Sequence, residues 1–239
     1  MYKERRYRNW VQSEDLVSFE VKEKETDLFI SATKNLAKQA RESILNNRSQ
    51  IERYIQKDER FYSSLEPVKV SQEAPLIVKV MAQAAQHAGV GPMAAVAGAI
   101  AEFVGKDLLA FTPEMIVENG GDVFIRTTKK RSLGIYAGPD SPFTGNLVLE
   151  IEPRENGLGV CTSSGTVSHS LSFGRSDVAL IMSEDTALAD AVATATGNTL
   201  KSPDDIKKAI DFAKSIKGIT GVLVIFKDKM GSWGEIKIK

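Results

Sequence analysis

Apolar and charged positions alternate along the first part of the chain. RRYRNWV, LVSFEVKEKE and TDLFISA, all within residues 1–32, place an apolar side chain at about every second position. This alternation predicts two or three strands in a hairpin or meander. From Thr33 to about Lys57 the apolar side chains recur instead with a period near 3.6, which predicts an amphipathic helix with a solvated charged face.

Two more helices are predicted before the chain returns to strands. One runs from about Pro75 to His87 and the other from Pro92 to Leu109. The junction between them, GVGPMA, resembles the glycine pattern of a dinucleotide-binding loop, but that pattern requires a preceding strand. Since MAQAAQHA is helical in pattern, we interpret the glycines and proline as a helix end followed by a helix start.

The second half of the chain reads as a meander of strands followed by helices. EMIVE, DVFIRTT, LGIYAG, NLVLEIE and LGVCTS are separated by short turns rich in Gly, Asn and Pro. A further strand, Asp177 to Met182, precedes a helix that Ser183 or Asp185 would open.

A last helix, Pro203 to about Ile216, is followed by a hairpin that we expect to turn across Lys229 to Gly234. The whole chain, residues 1–239, is therefore predicted to be a single α+β domain of mostly antiparallel sheets packed with helices.

The helix DTALADAVATATGN has a single charged residue between Thr186 and Thr196, namely Asp190. Small or apolar residues surround it on all sides, which is typical of a buried helix. A buried carboxylate is costly unless it is paired or holds a metal ion, and Thr194 lies one turn away on the same face. Two interpretations stay open: a carboxylate and hydroxyl metal site, or a solvated aspartate.

Two other segments have the composition of a ligand site. Residues 157–174 contain no Asp, Glu, Lys or Arg in a protein that is 26% charged, and Gly, Ser and Thr fill many positions. Such residues let backbone N–H groups approach a ligand, although a polar hairpin would have the same composition. In VENGGDVFI, Glu118 and Asp122 flank an Asn-Gly-Gly turn, which is either a plain hairpin or a site with two carboxylates.

Composition narrows the class of function. The net charge is zero, which argues against nucleic acid as a partner. Cys161 is the one cysteine and His87 and His169 are the two histidines, so a disulfide, a Cys-rich zinc site and a multi-histidine metal centre are excluded within one chain. Without a run of 18 apolar residues or an apolar signal segment, we expect a cytoplasmic protein with no membrane partner.

Four segments, in order, resemble the ApbE superfamily of flavin transferases. VAGAIAEFVGKDL resembles the family's GGIAKGYAVD helix, and ENGGDV resembles its (V/I)xxGG(D/N) turn. TSSGT with SH resembles its STSG…SHIIDP segment, and ADAVATATG resembles its ADALATALFVLG helix. The resemblance implies an ApbE-like, T-fold-related domain from a compact cytoplasmic branch of bacterial and archaeal proteins.

The resemblance also implies an activity and a set of site residues. In the family, the pyrophosphate of FAD is cleaved, FMN is placed on a threonine of an acceptor protein, and AMP is released. If the family's site pattern is carried over to this chain, the resemblance implies that the Mg²⁺ ligands are Asp190, Thr194 and the carbonyl of Ala101. The nucleotide would contact Glu118, Asn119, Gly120, Gly121, Asp122, Thr162, Ser163, Ser164 and Gly165, and His169 would occupy the family's Ser-His position as a catalytic residue.

The chain departs from the family pattern in several places, one of which is a shorter hairpin before the Thr-Ser-Ser-Gly segment. After Ser-His it continues SLSFGRSD where the family has IDPxTGxP, and Glu102 and Phe103 stand where the family usually has Lys-Gly. A flavin-binding relative without catalysis is therefore a further reading.

Cys161 carries an alternative function. It directly precedes the Thr-Ser-Ser-Gly segment, whose backbone donors could lower the thiol pKa, but most lone cysteines are inert and buried, and we favour that interpretation here. The cytoplasmic branch is associated with sulfur assimilation, so the resemblance also allows a persulfide relay at Cys161.

Overall fold

The computed structural model describes residues 15–138, 141–164 and 177–239. Within those ranges the chain forms ten strands and six α-helices. The strands are β1 (Val17–Glu23), β2 (Thr26–Ala32), β3 (Met115–Asn119), β4 (Asp122–Thr127), β5 (Arg131–Gly134), β6 (Val148–Ile151), β7 (Arg154–Ser163), β8 (Val178–Ser183), β9 (Ile219–Phe226) and β10 (Lys229–Gly234). The helices are α1 (Ala37–Lys57), α2 (Arg60–Ser63), α3 (Leu76–Ala88), α4 (Val96–Leu108), α5 (Thr186–Thr199) and α6 (Ile206–Ser215).

Eight strands form one antiparallel sheet in the order β1-β2-β3-β4-β7-β8-β9-β10. The order follows the chain except that β5 and β6 leave the sheet and pair with each other. The predicted meander and the α+β class are thus confirmed, since short connections join antiparallel neighbours.

The sheet has a different partner on each face. Val117 and Phe124 point to the face that is covered by the helices, while Ile116 and Ile125 point to the other face, which packs with β5, β6 and the connections around them. Because successive side chains of a strand point to opposite faces, this alternation in sequence produces two hydrophobic cores. The helices, the large sheet and the small sheet therefore form three layers.

Helix α5 lies at the centre of the helical layer. It contacts β7 and β8 of the sheet and the helices α3 and α4. Its side chains Leu188, Ala191, Val192 and Ala195 are buried, which confirms the buried helix that the sequence predicts. Of the two predicted cap residues, Asp185 is the N-cap, and its side chain accepts a hydrogen bond from Leu188 N at 2.9 Å.

Several predicted boundaries differ from the structure. Lys229–Gly234, expected as the hairpin turn, is strand β10, and the turn lies at Lys227 and Asp228; Lys227 has a positive φ of 56°. Pro92–Ala95 is a 3-10 turn that precedes α4. The predicted strand RRYRNWV falls outside the described residues.

In the described ranges, no single helix is both long enough and apolar enough to cross a membrane. The segments Leu76–Ala88 and Pro92–Leu108 reach that length only when taken as a pair, and they are bent by 106° relative to each other.

Candidate functional site

The ENGGDV segment forms a tight hairpin between β3 and β4. Gly120 and Gly121 have φ values of 70° and 110°, a backbone conformation that residues with a Cβ rarely adopt. The turn places Asn119 opposite Asp122 in the antiparallel pair, and both side chains are buried. The plain hairpin reading is thus correct for the backbone, and its consequence is that two polar side chains are held near the helical layer.

Asp190 meets the start of α4. Its Oδ2 accepts a hydrogen bond from Gly98 N at 2.8 Å, and its side chain is buried, with the residue 8% exposed. Burial raises the pKa of Asp190 to about 7, although hydrogen bonds from the backbone of Gly98 and Ala97 act in the opposite direction. The solvated interpretation of Asp190 is therefore wrong, because this carboxylate is inside the protein.

Asp122 is a second buried carboxylate near Asp190. Burial raises its pKa well above the ordinary value, and the negative charge of Asp190 raises it further. The N–H of Thr162 donates to Asp122 Oδ1 at 3.3 Å and partly offsets these effects. Two buried carboxylates that disfavour each other's ionisation would both gain from a nearby cation.

The remaining polar groups of the turn bind the neighbouring backbone. Glu118 Oε1 accepts from Gly121 N at 2.9 Å, and Thr162 Oγ1 donates to the carbonyl of Gly121 at 3.1 Å. Asn119 Nδ2 donates to the carbonyl of Ala97 at 3.0 Å. These bonds attach the hairpin to β7 on one side and to the start of α4 on the other.

The other predicted metal ligands lie on the same two helices. Thr194 is half-buried and follows Asp190 by one turn of α5, and Ala101 is buried and follows Gly98 by about one turn of α4. The described residues contain no group of three or more His, Cys, Asp or Glu side chains that could hold a metal ion. A metal ion here would therefore need hydroxyl, carbonyl or ligand oxygens besides the carboxylates.

Cys161 has the environment of an inert, buried cysteine, which is the interpretation that the sequence favours. Its side chain is fully buried, and its Sγ lies 3.4 Å from the carbonyl oxygen of Thr186, to which it donates. Burial raises the pKa of the thiol well above its ordinary value, and the nearby Asp122 and Asp190 raise it further. The alternative of a lowered pKa is wrong, because burial and the two carboxylates outweigh the backbone hydrogen bond of Val123, which acts in the opposite direction.

The hydroxyl-rich segment is described only in part. Ser163 ends β7 and is buried, and Ser164 is half-buried. Gly165 and His169 lie outside the described residues, so their predicted roles stay predictions.

A cavity of about 470 Å³ lies on the other side of Ala97 and Asn119, and neither Asp122 nor Asp190 lines it. It is lined by Lys24, Glu25, Thr26, Arg48, Ile51, Glu52, Ile55, Tyr62, Met93, Val96, Ala97, Ile100 and Asn119. Ala97 at the start of α4 and Asn119 at the end of β3 both line the cavity, and the hydrogen bond between them joins the two elements.

The charges of the cavity are paired with each other. Arg48 donates to Thr26 Oγ1 at 2.7 Å and to the carboxylates of Glu25 and Glu52 at 2.6 and 2.9 Å. Lys24 also contacts Glu52, at 2.9 Å. The sequence predicts only a solvated polar face for α1, because the pattern of an amphipathic helix gives no sign that part of that face borders a cavity.

Comparison with known proteins agrees with this architecture. The family model described as "AbpE bacteria" matches residues 8–232. A UPF0280 protein of Methanocaldococcus jannaschii is 45% identical over 219 residues, which cover 89% of this chain and 88% of the relative. A UPF0280 protein of Methanococcus vannielii is 41% identical over 93% of this chain and 92% of its own length.

Solved structures share the fold at low sequence identity. The apo flavinyl transferase ApbE of Pseudomonas stutzeri superposes with a TM-score of 0.60 at 12% identity, covering 92% of this chain and 94% of that one. The flavin transferase ApbE of Vibrio cholerae gives 0.61 at 13% identity, with coverage of 92% and 96%. The chain therefore belongs to the AbpE bacteria family, together with archaeal UPF0280 proteins, and has the ApbE fold.

Proposed function

We propose that this protein binds a nucleotide such as FAD together with Mg²⁺ and cleaves its pyrophosphate, as a cytoplasmic enzyme of the FMN transferase type. The observation that carries the proposal is the pair of buried carboxylates, Asp122 and Asp190. Asp190 binds Gly98 N at the start of α4, and the preceding residue, Ala97, lines the 470 Å³ cavity. The ApbE proteins of the same fold are flavin transferases by name.

The donor set fits a hard cation. Mg²⁺ prefers oxygen ligands and usually keeps positions for water and for substrate phosphates. Asp190 would supply a carboxylate oxygen, and Thr194 and the carbonyl of Ala101 would supply neutral oxygens. When bound, the ion would neutralise charge that develops on the phosphate oxygens.

The cavity fits one part of a dinucleotide. Its volume lies within the usual range of about 300–1,000 Å³ for ligand sites, and the apolar side chains of Ile51, Ile55 and Ile100 form part of its wall. Since Arg48 and Lys24 are already paired with carboxylates, the cavity favours an uncharged ring over a phosphate. A ring bound here would extend its phosphates past Ala97 and Asn119 towards Asp190.

Release of AMP from FAD is the test. The purified protein is incubated with FAD and MgCl₂, and AMP and FMN are measured by liquid chromatography with mass detection. We expect AMP with Mg²⁺, none with EDTA, and a large loss in Asp190→Asn. Asp204→Asn is the matched control, because Asp204 is an exposed aspartate on a 3-10 turn.

Absence of AMP from FAD, NAD and ATP with Mg²⁺ would contradict the proposed enzyme activity. Binding of flavin without cleavage, seen as quenching of flavin fluorescence by the protein, would instead favour the non-catalytic relative. If AMP is released, a protein with an exposed threonine is the expected acceptor class, and retention of FMN mass on that protein would identify it.

A further inference from the structure

Helices α4 and α5 are joined by two carboxylates that reach in opposite directions. Glu102 on α4 accepts a hydrogen bond at Oε2 from Thr186 N, the first residue of α5, at 2.8 Å. Asp190 on α5 accepts a hydrogen bond at Oδ2 from Gly98 N, in the first turn of α4, at 2.8 Å. Each helix therefore supplies an acceptor to the N–H groups at the start of the other, which lack partners within their own helix.

The side chain of Glu102 is buried, and its carboxylate bonds to Thr186 N and not to solvent. Its side chain is 7% exposed, and its other oxygen, Oε1, pairs with Lys106 Nζ at 2.5 Å on the next turn of α4. Both carboxylate oxygens are thus engaged, one by an ammonium group and one by a backbone N–H. A buried carboxylate is retained without large cost when both oxygens have such partners.

The contact between the two helices leaves little room for sliding. A Cβ on Gly98 would lie 2.5 Å from the carbonyl oxygen of Thr186 and 2.8 Å from Asp190 Cβ, so the backbones touch at this glycine. Thr186 and Asp190 are one turn apart on α5, about 6 Å along its axis. A shift of α5 that lengthened the bond at Thr186 would therefore displace Asp190 from Gly98 as well.

We propose that Glu102 is a positioning residue for Asp190: by holding the first N–H of α5, it fixes the register of α5 against α4 and so fixes the carboxylate of Asp190. The consequence for a metal ion rests on the proposed function, whereas the coupling between the two helices does not.

Amide spectroscopy of the full chain tests the coupling. In Glu102→Ala we expect the amide proton of Gly98 to lose its carboxylate-bonded downfield shift, and its protection from hydrogen exchange to fall by about tenfold. Glu102→Gln keeps an oxygen that can accept from Thr186 N and should restore both signals. A purely structural role would deprotect Thr186 and leave the Gly98 signals unchanged, and that result would overturn the proposal.

Glu102→Asp covers the case in which the alanine variant does not fold. It keeps the charge but shortens the side chain by one methylene, so the same loss at Gly98 is expected in a milder form. If the Glu102→Asp protein folds and its Thr186 amide exchanges faster while the Gly98 signal is unchanged, the proposed coupling is also wrong.

A Mg²⁺ titration then measures the functional consequence. We expect Glu102→Ala to weaken Mg²⁺ binding by about tenfold, as is common when a group that orients a metal ligand is lost, and Asp204→Asn to leave it unchanged. If the unaltered protein binds no Mg²⁺, the proposed function fails while the result at Gly98 still decides the role of Glu102. If it binds Mg²⁺ and Glu102→Ala binds it equally well, the positioning role fails.

Discussion

Asp190 has a structural role, and we propose a chemical one as well. Its carboxylate completes the hydrogen bonding at the start of α4, which accounts for an acceptor at this position. It does not account for a charged acceptor, because an amide oxygen could accept the same hydrogen bond without the cost of a buried charge. The charge is accounted for if a cation binds there.

The pH dependence of stability should report the ionisation of Asp190. Its folded pKa of about 7 lies above an unfolded value of about 3.9, so the folded state retains a proton that the unfolded state releases. The unfolding free energy without metal should therefore fall as pH rises from about 4 to about 7, by up to about 1.4 kcal/mol per pH unit.

Urea denaturation at several pH values, with and without Mg²⁺, measures this slope. Asp190→Asn should flatten it and should be at least as stable as the unaltered protein at pH 8. Some slope should persist, because the pKa of Asp122 is raised in the same direction. If the unfolding free energy of Asp190→Asn and of the unaltered protein has the same slope against pH, the pKa of Asp190 is not raised by folding.

Cys161 should be unreactive in the folded protein. Because the thiol is fully buried and its pKa is raised by burial and by two carboxylates, we expect negligible modification by a disulfide reagent at pH 8 and complete modification in urea. Rapid modification of the native protein, or loss of a sulfur-transfer activity in Cys161→Ser, would restore the persulfide reading.

The contact between α4 and α5 depends on a glycine in a helix. Replacing a helical Gly with Ala normally stabilises by about 1 kcal/mol, but at Gly98 the added Cβ would lie 2.5 Å from the carbonyl oxygen of Thr186. We expect Gly98→Ala to destabilise the protein by about 2 kcal/mol through overpacking. Urea denaturation measures the change, and a gain in stability would mean that α5 can move away from α4 at little cost.

The hairpin between β3 and β4 depends on glycine for a different reason. Gly120 and Gly121 lie in the left-handed region, so their conformation, and not a lack of space alone, excludes other residues. A Cβ on Gly121 would also approach Thr162 Oγ1 to 2.8 Å. The hairpin thereby holds Asn119 against the start of α4 and Asp122 beside Thr162 of β7.

A buried ionic group connects the small sheet to the large one. Arg131 on β5 pairs with Glu114, which precedes β3, and with Asp15 at 2.6 Å; the side chains of Arg131 and Glu114 are 7% and 8% exposed. Burial alone would raise the pKa of Glu114, but hydrogen bonds from Thr128 and Arg131 bring it below the ordinary value.

Removing one partner of that group should destabilise the fold. Glu114→Leu would leave the Arg131 guanidinium buried with Asp15 as a partial partner, and we expect a loss of about 3 kcal/mol by urea denaturation. The double variant with Arg131→Met should recover most of it, because no unpaired charge remains. Additive losses in the double variant would show that the two side chains stabilise the protein independently.

Local patterns in the sequence determined several helices and strands of this protein and the turn between β3 and β4. Period-2 and period-3.6 spacing depends on neighbouring residues only, so β1, β2, α1 and the buried α5 could be predicted. The ENGGDV hairpin follows in the same way from the φ values that its glycines permit.

The tertiary structure alone decided the chemistry of the site. Gly98 and Asp190 are 92 positions apart and Glu102 and Thr186 are 84 apart, and no local pattern encodes which carboxylate meets which helix start. The carboxylates beside Cys161 could not be predicted for the same reason, because a pKa depends on burial and on charges that arrive from distant strands and helices. The sequence by itself therefore determined which side chains can carry charge or accept a hydrogen bond, and packing determined which of them meet.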